Sequence, residues 1–228
     1  MTDFLSALSG LTSTTVLIAL IITSSLLVIL ADWRLLNLLL GVEYLLIGVF
    51  LIVSRIDGFP AELAIVKALV GVMIVPALYI SSRRARWGKS PNEEDDQTET
   101  PRRRFEWLQA PGLALRLIVA LLGVAVALSL ALRSPIQFIT PQTAARDITI
   151  ATFVLIGQGL LNMALNENPL KVGLGLLTVT AGFELFYTPV EPTLRIVALL
   201  GLVNLMIALA LAYLITAWAA RPRRGALH

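Results

Sequence analysis

The chain of 228 residues contains no cysteine, and its single histidine, His228, is the last residue. Without cysteine there are no disulfides, no thiolate metal sites and no cysteine-ligated iron–sulfur clusters. One terminal histidine supplies neither the buried imidazole pair that a membrane haem usually takes nor a Ser–His–Asp triad. Charge is scarce as well. Only 14% of the residues are charged, against about a quarter in soluble domains, and the mean hydropathy is +0.83. A water-soluble fold needs more polar surface than this. No nucleophile–base pair and no metal-ligand constellation is legible, so an enzyme with its own active site, a bound metal and a cofactor are all unexpected. What remains is a membrane protein whose chemistry rests on carboxylates, lysine and amides.

What the chain has in abundance is long apolar runs. A helix crosses the bilayer core with about 20 mostly apolar residues. Seven such runs occur, at 11–31, 35–54, 62–81, 113–132, 148–165, 171–188 and 194–218. The runs are continuous rather than alternating, which excludes a β-barrel. Short links rich in breakers (Asp57-Gly58 with Pro60, Pro135 and Pro141, Pro189 and Pro192) make neighbouring helices antiparallel. Only Asp3 is charged ahead of the first run, so that run does not read as a cleavable signal. The expected fold is all-α, a polytopic bundle of seven transmembrane helices.

Lys and Arg placement orients the bundle. With residues 83–110 inside, 12 of the 18 basic residues lie on that side and 4 (Arg55, Arg133, Arg146 and Arg195) on the other, with Lys67 and Arg116 within spans. The N-terminus is then outside, and the C-terminus, residues 221–228, is a basic inner tail. The 83–110 loop has basic ends around an acidic centre, Glu93 to Asp96 with Glu99. It reads as a solvated linker whose ends meet anionic headgroups, or as a docking segment for a soluble partner. The acidic centre and the lack of interleaved aromatics argue against nucleic acid.

The second and third runs resemble the sixth and seventh. Each pair carries a glutamate two residues after a glycine (Gly41 and Glu43, Gly182 and Glu184), then Ile-Val at 65–66 and 196–197, then a terminal arginine cluster. Two parallel three-helix units, 1–82 and 147–220, joined by a connecting helix at 111–133, account for this pattern.

An ionisable group inside the membrane is a functional-site hypothesis by default. Glu43 lies eight residues into its span, roughly 12 Å deep at 1.5 Å per residue, where a carboxyl can load and release a proton. The competing reading is a hydrogen-bonded carboxyl that only packs helices. Lys67 either snorkels outward or faces Glu43 on the preceding helix as a coupled pair. Glu184, four residues from the end of its span, reads equally as interfacial or buried. Gln158 and Asn204 are secondary polar candidates, better explained as bridges between helices. Arg116 reads as a snorkelling residue, and Pro76 leaves the Val72 carbonyl without its helical donor.

The stretch LLLGVEYLLIG resembles the glutamate-bearing helix of the small K (4L) subunit of respiratory complex I. The whole chain, over residues 11–220, is more similar to component E of hydrogenase-4-type membrane hydrogenases, through VKALVGVMIVPALYISSRR, the basic loop, the connecting helix and the glutamate of the sixth span. Two features differ from that family's pattern: Leu185 rather than Asn follows Glu184, and the last span carries Asn204 where an acidic residue is usual. The resemblance implies an integral subunit of the inner (cytoplasmic) membrane, partnered by antiporter-like subunits. Its role would be proton or sodium translocation, with Glu43, Lys67 and Glu184 in the ion path. A purely structural assembly subunit and a small independent transporter are the alternatives; few polar groups line the spans, which weighs against the latter.

Overall fold

The computed structural model describes residues 12–54, 61–84, 111–133, 142–191 and 193–219, and among them every regular element is a helix. There are seven: α1 (Ser13–Ile29), α2 (Trp33–Val53), α3 (Ala61–Arg84), α4 (Pro111–Arg133), α5 (Gln142–Ala164), α6 (Pro169–Tyr187) and α7 (Leu194–Ala219). Each of α2 to α7 holds an apolar stretch of 19 to 24 residues, long enough to cross a bilayer. The described part of α1 is a further apolar helix of 17 residues, about 25 Å at 1.5 Å per residue. The chain is an all-helical, multi-pass membrane protein. The charged segment 85–110, the basic tail and the Asp57-Gly58-Pro60 link lie outside the described residues.

Helix starts follow their capping residues. Thr12, Asp32 and Asn168 each accept a backbone N–H of the first turn, from Thr15, Arg34 and Leu170, and Pro169 occupies the first position of α6. Most hydroxyls within the helices are satisfied by their own backbone. Thr23, Ser81 and Thr149 donate to the carbonyls four residues earlier, which removes the cost of a polar group in hydrocarbon. One expected boundary moves. α5 begins at Gln142, six residues before the apolar run at 148, because its first turns are polar and Asp147 accepts a 2.6 Å hydrogen bond from Ser13 at the start of α1. Hydropathy marks where the apolar stretch starts; the helix starts where its backbone is satisfied.

Burial divides the bundle into a centre and a rim. α2, α5 and α6 are about half buried or more, α3 and α7 less, and α4 scarcely at all. Leu40, Tyr44, Ile47, Leu155, Leu174 and Leu177 fill the centre. Leu115, Ile118 and Leu122 of α4 and Leu199 and Met206 of α7 point outward, largely exposed, as helices in lipid do, since hydrocarbon is their solvent. Beyond sequential neighbours, α1 packs on α4 and α5, α2 on α6 and α3 on α7. Each of the first three helices thus touches one of the last three.

Candidate functional site

α6 runs through the bundle against α5, α7 and α2. Its contact with α5 is unusually close, and glycine is the reason. A methyl group on Gly159 would lie 2.6 Å from the Gly175 carbonyl oxygen, and one on Gly175 would lie 2.6 Å from the Gly159 carbonyl. No side chain fits between these backbones, so van der Waals contact there replaces the hydrophobic drive that hydrocarbon does not supply. Asn162 of α5 donates to the Lys171 carbonyl at 3.2 Å, which fixes the register of α6.

Held in this way, α6 presents two polar side chains to the first half of the chain. Glu184, near its C-terminal end, forms an ion pair with Lys67 of α3. Both side chains are 2% exposed. Thr178, six residues earlier, donates its hydroxyl to Glu43 Oε2 at 3.2 Å. Glu43 is fully buried near the middle of α2, and its Oε1 has no protein hydrogen-bond partner. The rise from Thr178 to Glu184 is about 9 Å at 1.5 Å per residue. Two buried carboxyls from different helices therefore lie within about 9 Å of rise along α6, Glu184 facing the Lys67 ammonium and Glu43 the Thr178 hydroxyl.

The Glu43–Lys67 pairing weighed from sequence is not formed. Lys67 is on α3, which packs against α2 with Gly71 beneath Tyr44 and Gly48 beside Ala64. Its ammonium meets Glu184 instead, so a carboxylate that read equally as interfacial is buried and paired. Lys67 does not snorkel to the bundle surface. The paired Gly-x-Glu motifs also differ in depth. Glu43 is ten residues beyond the start of α2, whereas Glu184 is fifteen beyond the start of α6. The likeness of the motifs does not make their carboxyls equivalent.

Comparison with protein-family models, with curated proteins and with solved structures finds no match. The site has to be read from its own chemistry.

The secondary candidates separate. Gln158 of α5 donates to the Ala120 carbonyl of α4 at 2.8 Å, a bridge that ties the connecting helix to the bundle. Asn204 of α7 is 1% exposed, and its amide nitrogen has no protein partner. Other buried polar groups carried no mark in the sequence. Asn37, with both amide atoms unpartnered, and the Tyr44 hydroxyl are buried on the same helix as Glu43. Thr178 was equally unmarked, because threonines in apolar helices usually bond to their own backbone, as Thr180 and Thr188 do here. Unpartnered polar atoms in a close-packed interior are costly, and those of Glu43 and Tyr44 belong to adjacent residues of α2. Chemically, the arrangement has two carboxyls able to take up a proton, one amine, and one hydroxyl, that of Thr178, which donates to Glu43.

Proposed function

We propose that this protein is a non-catalytic membrane subunit of an ion-translocating oxidoreductase or hydrogenase complex, akin to hydrogenase-4 component E and the small K subunit of complex I. In this reading Glu43, Lys67 and Glu184 supply the proton (or sodium) transfer groups within the membrane. The observation that carries it is the buried Lys67–Glu184 pair with the Glu43–Thr178 bond less than two turns away along α6. A carboxyl opposite a cation and a carboxyl opposite a hydroxyl bind protons with different affinity, and such a difference is what directional transfer between two sites uses. A chain whose only task was to hold partners together has no reason to keep ionisable groups at that depth, where each costs several kcal/mol unless paired. Lys67 and Glu184 offset that cost between them; Glu43 has only a hydroxyl.

In this role the partners are antiporter-like membrane subunits, the membrane is the cytoplasmic one, and the N-terminus faces outward. The test is Glu43→Gln in the assembled complex. The amide keeps the bond from Thr178 and the shape of the carboxyl but cannot take up a proton. Ion translocation falls at least tenfold, as for loss of an acid–base group, while the complex assembles at wild-type yield. Unchanged translocation removes Glu43 from the path and leaves assembly as the role of this chain.

A further inference from the structure

Asn204 takes no part in the site described above, yet it is 1% exposed. From sequence it reads as a bridge between helices, as Gln158 is, but its amide nitrogen bonds to nothing among the described residues. Four helices form a ring: α2 packs on α3, α3 on α7, α7 on α6 and α6 on α2. Three of them carry the buried ionisable groups, Glu43 on α2, Lys67 on α3 and Glu184 on α6. Asn204 is the buried polar residue of the fourth.

Its height and direction follow from contacts at glycines. Gly173 of α6 lies against Leu211 of α7, and the short link from Tyr187 to Leu194 makes these helices antiparallel. Seven residues before Leu211, Asn204 comes opposite residue 180 of α6, two residues from Thr178 and four from Glu184. A second contact gives nearly the same height. Gly201 of α7 lies against Val70 of α3. α3 is antiparallel to α2, since Gly41 meets Val75 and Gly48 meets Ala64. α6 is parallel to α2, since Thr178 meets Glu43 while Glu184 meets Lys67, which lies beside Gly48. α3 and α7 therefore run the same way. Asn204 is then level with Met73, six residues beyond Lys67, as Thr178 is six before Glu184. The two heights agree to within two residues, about 3 Å: Asn204 lies level with Thr178 or slightly nearer Glu184. At about 100° per residue, its side chain is about 20° round from Leu211, which faces α6, and about 60° the other way from Gly201, which faces α3. It therefore points into the ring. Glu184 is about 20° round from Gly173 and faces α7. Helical side chains lean toward the N-terminus of their own helix, so Glu184 and Asn204, on antiparallel helices, lean toward one another.

We propose that Asn204 anchors a short chain of water molecules that joins Glu43 to Glu184. Its use as a proton path rests on the ion-transfer reading, while the water site itself does not. Glu43 Oε1, Glu184 Oε1 and Asn204 Nδ2 are all buried without a hydrogen-bond partner among the described residues. Buried polar atoms of this kind are what internal water satisfies. The rise between the two carboxyl-bearing levels is about 9 Å, and two waters, with three bonds of about 2.8 Å, span about 8 Å between carboxyl oxygens. The Asn204 N–H donates to one water oxygen and holds the chain in place. Protonated Glu43 gives its proton to the first water, breaking one O–H bond, and the last water gives a proton to the Glu184 carboxylate, forming another. The waters are regenerated, and Asn204 neither gains nor loses a proton. It is a positioning residue, the link between two carboxyls that do not touch.

The experiment takes infrared spectra of the full-length protein in nanodiscs. The carboxyl C=O bands are assigned with Glu43→Gln and Glu184→Gln, and the bound water by the shift of its O–H band in water labelled with heavy oxygen. Asn204→Leu keeps the branched shape and loses the hydrogen-bonding atoms. It removes the water band, shifts both carboxyl bands and, in the assembled complex, lowers proton translocation at least about tenfold. Asn204→Ser, which still hydrogen-bonds and leaves room for a further water, keeps the water band and most of the flux. Gln158→Leu breaks a helix-bridging amide bond elsewhere, so it lowers the melting temperature and moves neither carboxyl band. Melting shows that each variant is folded, and Asn204→Met, with a more adaptable side chain, replaces Asn204→Leu if the latter is not. The water site is overturned if a folded apolar variant leaves the water band and both carboxyl bands as in the wild type. If those bands change while neither the apolar variant nor Glu43→Gln alters translocation, the water site stands and the ion-transfer reading falls. If Glu43→Gln stops translocation and the apolar variant does not, the reading stands and the path through Asn204 is overturned.

Discussion

The sharpest consequence of the Lys67–Glu184 pair concerns what happens when its members are removed singly and together. Lys67→Met leaves Glu184 buried without a cation, and Glu184→Met leaves Lys67 without an anion. Two unit charges about 4 Å apart at an effective dielectric near 20 attract by about 4 kcal/mol. That matches the 3–5 kcal/mol typical for breaking a buried pair from one side. A membrane protein of this size loses about 3 °C of melting temperature per kcal/mol, so each single variant melts roughly 10 °C lower. The double variant Lys67→Met with Glu184→Met removes both desolvation costs along with the attraction. It is expected within about 2 kcal/mol of wild type and on the stable side if the two methionines pack well. The assay is thermal unfolding of the four proteins of the cycle in one detergent or nanodisc, and the coupling energy is the quantity read. Ion translocation is measured on the same four. The double variant regains stability and stays inactive, which separates holding the helices together from moving a proton. If the two single losses simply add in the double variant, the pair contributes nothing and the reasoning fails.

Three further outcomes follow from other contacts. Thr178→Val removes the hydroxyl that donates to Glu43; it costs about 1 kcal/mol or less and slows ion transfer, whereas Thr178→Ser preserves both, as melting and flux measurements check. Gly159→Ala forces a methyl group against the Gly175 carbonyl and destabilises by about 1–3 kcal/mol, read as a lower melting temperature, while Gly157→Ala, whose added methyl meets only ordinary contact at 3.5 Å, is nearly neutral. Because the chain has no cysteine of its own, single cysteines report topology without background: an impermeant maleimide added to intact cells labels Arg133→Cys and not Arg84→Cys if the positive-inside orientation holds, and the reverse pattern inverts it.

The membrane class of the fold was legible because the information is local. Continuous apolar runs and breaker-rich links need no knowledge of neighbours, and all seven helices lie where those runs lie. Glu43, Lys67 and Glu184 were legible for a related reason: an ionisable group in an apolar helix is costly wherever its helix packs. Their pairing was not legible. Lys67 sits on a helix that touches both α2 and α7, and helical periodicity says which face it occupies but not which helix comes opposite. That choice depends on how closely α6 approaches, which two glycines on α5 and α6 decide. The burial of Lys171 is not legible either: at the edge of a run it has the look of an interfacial cation, yet the fold leaves it 4% exposed.

The same helix explains why these features belong together. α6 provides the anion for Lys67 and the hydroxyl for Glu43. Its own position is set from the α5 side, by the glycine contact and the Asn162 bond. A shift of α6 along its axis by one residue, 1.5 Å, is half the length of a hydrogen bond. It would move Thr178 and Glu184 together relative to α2 and α3, so neither carboxyl's partner changes without the other's. Gly159→Ala thus perturbs Glu43 and Lys67 without touching either.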